Sequence, residues 1–255
     1  MIGLGLHIAK SKVSSPAGVD AVMALNPTVW YNESSLSDFS VNQYADHYVD
    51  QSGNNFDLFQ PDGAKQAQVI DSGDGKKALL FTNDFLFESD VPVLQGDVDF
   101  TMIYVGFGLR NYHTALYVGD DDTPSAASSF RIGRSTYNAL RGIVGTSVGG
   151  AWNSPLSFSN NDTNIAYAYK RGTDSSDIYL GIDDGRVSRE VQFGVSGLTL
   201  NFGDGFGIGT NNPDDPSVTG TGNGWFLYEV LIYDRALTEI ELAQTRQYLR
   251  EKWNM

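Results

Sequence analysis

Through most of the chain the apolar positions come in short runs, and they do not keep the three-to-four spacing of an amphipathic helix. Phe100 to Phe107 (Phe-Thr-Met-Ile-Tyr-Val-Gly-Phe) is rich in β-branched and aromatic residues, as are Ile165 to Tyr169, Ile178 to Ile182, Val187 to Phe193 and Leu198 to Phe202. Each predicts a strand. Turn chemistry punctuates them at Gly119-Asp120-Asp121-Asp122, Gly149-Gly150, Arg171-Gly172-Thr173-Asp174, Asp183-Asp184-Gly185 and Asn211-Asn212-Pro213-Asp214-Asp215-Pro216. Strands without intervening helices cannot build a parallel sheet, because each parallel crossover needs about a dozen residues or more. The pattern therefore predicts an all-β fold, a two-sheet antiparallel sandwich.

The last forty or so residues are the most legible. Trp225 to Tyr233 is apolar on both alternating faces, as a strand covered on both sides should be, and Glu229 is the one charge within it. A helix should follow Leu237, because Thr238 and Glu241 have the spacing of a capping box, in which each side chain satisfies an orphan amide of the other. Leu242, Leu249 and Trp253 share one face of that helix, which predicts a short C-terminal α-helix lying on the sandwich. At the other end, residues 1–20 read as an arm, disordered or used in assembly, and residues 21–255 as one sandwich domain. Ile2, Leu4, Leu6 and Ile8 give the arm one apolar face, suited to adding a strand to a neighbouring subunit.

These residues carry a family likeness. Glu229-Val230-Leu231-Ile232-Tyr233-Asp234-Arg235-Ala236-Leu237-Thr238, then Glu241, Tyr248-Leu249 and Lys252-Trp253, resemble the closing strand and helix of laminin-G-like domains with the concanavalin A-like jelly roll. Looser matches follow in the same order upstream, at Trp30-Tyr31, Tyr48 to Asn55, Ala78 to Phe81, Phe100-Thr101 and Asp177 to Gly185. The resemblance implies two stacked antiparallel sheets with a glycan, protein or calcium site in loops or on the concave face. It does not imply one function, since a fold is a platform for sites. The short Gly- and Leu-rich opening before such a domain resembles virion proteins of tailed bacteriophages, which implies a head decoration or a tail or fibre component.

Composition narrows the chemistry. A chain of 255 residues buries about three quarters of its unfolded surface in one core. Cysteine is absent, which removes disulfides, thiolate metal sites and cysteine nucleophiles. The net charge of -14 comes mainly from 24 Asp against 7 Glu, a bias of turn-rich proteins with acidic loops. Nucleic acid is excluded as a partner, since phosphate binding needs a basic stripe and none is present. No apolar run nears the length of a membrane span, about 18 residues or more. The opening Met1 to Lys10 places its charge after a very short apolar run, the wrong order for a secretory signal. The expectation is a protein made in a host cytoplasm and placed on a virion surface by assembly, with other virion proteins and copies of itself as partners.

Catalytic patterns are sparse. Glycosidases of this fold place acids on alternate residues of one strand, in the pattern Glu-x-Asp-x-Glu, which is missing here. Asp97-Val98-Asp99 comes nearest and reads as surface turn charge. His7, His47 and His113 are scattered, with neither a serine elbow nor metal spacing around them. Gly203 to Gly209 leads to Pro213 rather than into a helix, so close packing explains its glycines better than a phosphate loop. Calcium is the ion the sequence best accommodates, through Asp120, Asp121 and Asp122 and through Asn211, Asn212, Asp214 and Asp215, and no cofactor is required. For sugar, a ring that covers the apolar sugar face beside polar groups is needed, and Trp152 and Asn153 with Tyr112, His113 and Tyr117 are the candidates. The packing reading of Trp152 competes with that role. The expected function is a non-enzymatic structural or adhesive virion component that binds surface glycans. A free lectin-like module is the alternative, and a hydrolase of the same fold comes third.

Overall fold

The computed structural model describes residues 18–82, 87–89, 93–108, 114–119, 129–135, 139–144, 151–158, 162–198, 200, 202, 205–209 and 225–255. Its strands begin with β1 (Val29–Tyr31), β2 (Tyr44–Ala45), β3 (His47–Tyr48), β4 (Leu58–Phe59), β5 (Ala67–Gly73), β6 (Lys76–Phe81), β7 (Phe87–Ser89), β8 (Phe100–Phe107) and β9 (Thr114–Gly119). They continue with β10 (Ser129–Arg134), β11 (Ala139–Val144), β12 (Ala151–Ser157), β13 (Asn164–Lys170), β14 (Ile178–Asp183), β15 (Ser188–Gln192), β16 (Phe206–Ile208) and β17 (Trp225–Tyr233). Helix α1 (Val19–Ala24) precedes them and α2 (Glu239–Lys252) closes the chain.

Two antiparallel sheets form. The first runs β15-β14-β13-β8-β17-β6-β5-β2, with β1 also paired to β17, and the second runs β12-β11-β10-β9-β16-β7-β4-β3. The strand patterns explain the stacking. On β8, Phe100, Met102 and Tyr104 face the second sheet, while Ile103 and Val105 face the opposite way. Both faces are buried, which is why the run reads as continuously apolar. The inner faces meet in one core that includes Phe81, Phe130, Ile132, Leu180, Phe206 and Trp225. Outside the first sheet, Val22, Leu237, Leu242, Tyr248 and Leu249 from the helical segments cover Trp30, Ile103, Leu231 and Tyr233 in a second core. The molecule is thus layered sheet on sheet on helix.

The strands expected at 100–107 and 225–233 form with those bounds, and those at 165–169 and 178–182 form with one or two residues added. The capping box is present, with Thr238 Oγ1 accepting from Glu241 N and Glu241 Oε2 from Thr238 N at 2.8 Å. The segment 198–202 differs from expectation: of its described residues only Phe202 makes a β-bridge, an isolated one to Gly96. Leu200 is fully buried in the sandwich core, with Phe202 beside it and Leu198 packed against it. The arm lies outside the described residues up to position 17, and its expected limit at residue 20 falls within α1. No helix among the described residues is long and apolar enough to cross a membrane.

Candidate functional site

Three of the residues the sequence favoured, Tyr117, Trp152 and Asn153, lie on the second sheet. Its pairing forms a row across every strand: Ala151, Ile143, Arg131, Tyr117, Gly207, Glu88, Phe59 and His47 are successive register partners. Asn153 pairs with Arg141 in the row beside it. Leu116, Val118, Phe130 and Ile132 point into the core, so alternation turns Tyr117 and Arg131 outward. Both are nonetheless covered, at 4% and 2% exposure, and offer a ligand no surface. Trp152 is on the wrong face for the expected platform. It pairs with the inward Gly142, and its ring meets Phe193 edge-on at 5.7 Å between centroids. Trp152 therefore packs at the margin of the core, while Asn153 is exposed on the other side of the strand. Tyr112, His113, Asp120, Asp121, Asp122, Asn211, Asn212, Asp214 and Asp215 lie outside the described residues. Among the described residues no three His, Asp or Glu side chains gather as a metal site.

The open site is on the first sheet, where the helix layer stops short. Helix α2 runs back over β17, covering Tyr233 and Leu231, and ends with Trp253 stacked on Tyr228 at 5.1 Å and 24°. A helix rises about 1.5 Å per residue and a strand about 3.4 Å, so these 14 helical residues cannot roof the whole nine-residue strand. Beyond Trp253 a cleft of about 710 Å³ remains, with Phe107, Phe226 and Tyr228 among its lining residues. Phe107 and Phe226 are register partners on β8 and β17, with rings 5.7 Å apart and tilted by 37°. Tyr228 sits at a β-bulge, where the register shifts between Leu227 and Glu229. Burial raises the Tyr228 phenol above its ordinary value, partly offset by a hydrogen bond with the Thr163 side chain.

Polar groups ring this aromatic floor. Asp71 and Ser72 come from the end of β5, Asp162 and Thr163 from the approach to β13, and Asp184 and Arg186 from the β14–β15 turn. Asn254 joins them from the segment after α2. The turn is locally determined: Asp184 Oδ1 accepts from Arg186 N at 3.0 Å and Val187 N at 2.9 Å. Burial pushes the Asp184 carboxyl upward, but these amides and the charges of Arg189 and Arg186 outweigh it and hold it below its ordinary value. Gly185 has φ of 82°, and a Cβ there would come within 2.8 Å of the Met255 carbonyl carbon, so the turn and the chain end fit only around glycine. Asn254 donates to Asp74 at 2.7 Å, tying the same end to the β5–β6 turn.

Under the cleft wall lies a buried anchor. Glu229 is fully buried and accepts from Trp30 Nε1 at 2.7 Å, Trp253 Nε1 at 2.8 Å and Tyr248 Oη at 3.1 Å. Lys252 Nζ lies 3.0 Å from Glu229 and 2.6 Å from Glu33. Burial raises the Glu229 carboxyl above its ordinary value, opposed by the Lys252 charge and the indole donors. The sequence marks Glu229 as unusual within its strand. It does not reveal the cleft, because whether Phe226 and Tyr228 lie open depends on where α2 ends over them.

Two stacked antiparallel sheets with a helical layer define an all-β sandwich, and similar solved structures share that architecture. A GH54 α-L-arabinofuranosidase aligns with a TM-score of 0.62 at 12% identity, covering 91% of this chain and 64% of that one. The sialidase of Trypanosoma rangeli aligns at 0.55 and 14%, covering 88% and 32%. A structure concerned with cell entry of botulinum neurotoxin type C through interaction with two ganglioside molecules aligns at 0.54 and 13%, covering 89% and 52%. The chain thus spans roughly a third to two thirds of these proteins, and at such identities the likeness is one of fold. No protein-family model matches the chain, and no curated protein sequence does.

Proposed function

We propose that this chain is a non-catalytic, carbohydrate-binding β-sandwich module whose ligand lies in the cleft beside α2. The observation that carries the reading is the half-buried aromatic floor of Phe107, Phe226 and Tyr228 within a ring of carboxylate, hydroxyl and amide groups. Aromatic rings cover the C–H face of a sugar, and side chains around them bond its hydroxyls. A cleft of about 710 Å³ admits a short oligosaccharide. Three similar structures are named for a saccharide-cleaving enzyme or for ganglioside contact, which adds support. On a glycan array the protein should retain a defined set of glycans, and Phe226→Ala should weaken each by ~10-fold or more while leaving the fold intact. An array without hits, or hits indifferent to Phe226, would sink the reading.

The acids nearest to a hydrolase pattern hold structural partners, which supports a binding role. Asp97 pairs with the buried Lys170 at 2.5 Å, and Asp99 accepts from Gly172 N at 2.9 Å. Release of reducing sugar from polysaccharides by the purified protein would overturn the non-catalytic part. The finer reading, a laminin-G-like adhesive subunit of a phage particle, rests on the closing strand-and-helix motif and the Gly- and Leu-rich opening. Antibody-labelled electron microscopy of particles tests it, and an unlabelled particle refutes it.

A further inference from the structure

Resting on the reading of the cleft as a glycan site, we propose that Glu229 is a positioning residue for it. Through Trp253 it holds the Tyr228 ring in place, so the affinity of the site depends on a fully buried carboxylate that no ligand touches. The bulge in β17 creates the link. Leu227 and Val230 both face the inter-sheet core, and the register shift between Leu227 and Glu229 leaves the two residues between them on the helical side. Tyr228 there lines the cleft, and Glu229 meets Trp30, Tyr248, Lys252 and Trp253. Regular alternation would turn one of the two into the core, whereas the extra residue of a bulge keeps both on one face. A ring of the cleft floor and the buried anchor are thus chain neighbours.

Trp253 closes the link in space. Its Nε1 donates to Glu229 Oε2 at 2.8 Å while its ring stacks on Tyr228 at 5.1 Å and 24°. A stack alone leaves a ring free to slide, and a directional hydrogen bond from its edge to a fixed acceptor removes that freedom. The acceptor is fixed from other sides, by Trp30 and Tyr248 on Oε1 and by Lys252. The Lys76 and Lys252 ammoniums, 5.6 and 5.4 Å from the centroid of the Trp253 ring, hold that ring further. Tyr228 has a second hold in its hydrogen bond with the Thr163 side chain, so the ring is clamped between the approach to β13 and the end of α2. Such coupling is reciprocal: a ligand that settles on Tyr228 tightens Trp253 onto Glu229.

Isothermal titration of the full chain with cellotetraose, mannotetraose, xylotetraose and arabinotetraose, well below the melting temperature of every variant, tests the idea. Trp253→Phe keeps a ring over Tyr228 but loses the N–H, and it should weaken each tetramer that binds by roughly fivefold, the size of one aromatic pair. Glu229→Leu should do the same, and the double variant should be no weaker than either, because both break one link. Trp30→Phe removes the other indole donor from the same carboxylate and should leave affinity unchanged. In the wild type, hydrogen exchange at the Trp253 indole should slow when a tetramer binds. Wild-type affinity in Trp253→Phe, losses that multiply in the double variant, or an equal loss in Trp30→Phe would each overturn the positioning role, while loss of binding in Phe226→Ala leaves the glycan site standing. No binding of any tetramer, or binding unaffected by Phe226→Ala, removes both. Should Glu229→Leu fail to fold, the two tryptophan variants and the exchange measurement decide without it.

Discussion

Glu229 shows how much one side chain can hold. Four donors converge on its carboxylate, Trp30 from β1 and Tyr248, Lys252 and Trp253 from α2 and its C-cap, so its removal strands two indole N–H groups. Lys252 keeps Glu33, which spares it the cost of an unpaired buried cation. Glu229→Leu should therefore cost about 3 kcal/mol in denaturant unfolding and free the indole of Trp253, visible as a change in its fluorescence. The raised carboxyl also sets a sign. Between the ordinary value of 4.5 and the higher folded value, the folded protein holds a proton that the unfolded chain has lost. The contribution of Glu229 is complete below 4.5 and falls as pH rises through the folded value, so the stability of wild type relative to Glu229→Gln should rise on acidification through that window. A relative stability that falls on acidification would contradict the assignment.

Asp97 and two glycines make the same point about residues whose role is set by a distant partner. Asp97 reads as turn charge, yet it neutralises Lys170, which is 1% exposed. At Gly181 a Cβ would overlap the Tyr167 ring, and at Gly194 the Trp152 ring, so aromatic side chains lie flat on backbone where only glycine leaves room. No local pattern announces either requirement.

Among the elements, α2 is the one whose formation is written locally and whose position is not. Thr238 and Glu241 exchange hydrogen bonds as expected, and Arg235 adds a two-pronged contact to Glu241, with both distances 2.9 Å. Thr238 is exposed and does little besides capping, so Thr238→Ala should lower stability by about 1 kcal/mol in thermal or denaturant unfolding. The Arg235 hydrogen bonds, against a smaller burial penalty and with help from the Thr238 amide, hold the Glu241 carboxyl down to about 2. Here the sign is opposite to that of Glu229: the stabilisation is present above 4.5 and disappears as pH falls toward about 2. Wild type and Glu241→Gln should therefore converge in melting temperature over that acid range.

Strand β17 joins the two cores. Val230 and Ile232 face the inter-sheet core, Leu231 and Tyr233 face α2, and the bulge at Tyr228 turns the outer face toward the cleft. Thr101 fastens the turn that follows, accepting from Leu237 N at 2.9 Å and donating to the Arg235 carbonyl at 3.1 Å. The strand-to-helix connection is thereby fixed against β8, and with it the direction in which α2 returns.

Taken together, the layers assign the helices two tasks, protecting one apolar sheet face and shaping the cleft. A chain ending at residue 237 should expose Trp30, Ile103, Leu231 and Tyr233, bind a hydrophobic dye or aggregate, and lose any glycan retained by the full chain. Soluble, dye-negative protein of that length would refute the layered account. The net charge of -14 is in keeping with a surface that repels polyanions.

Element identity and fold class are local properties of this chain. Short apolar runs, turn residues and a capping box act over a few neighbouring residues, so the strands at 100–107 and 225–233 and the closing helix are legible in the amino-acid order alone. Glu229 stands out in the same way, because a lone charge in an apolar strand must find partners. Which partners those are, that Trp152 turns inward from Asn153, and that α2 stops at Tyr228 are settled only by three-dimensional packing. The physical reason is the same in each case: a cleft is defined by what fails to cover a surface, and coverage depends on how segments far apart along the chain pack against one another.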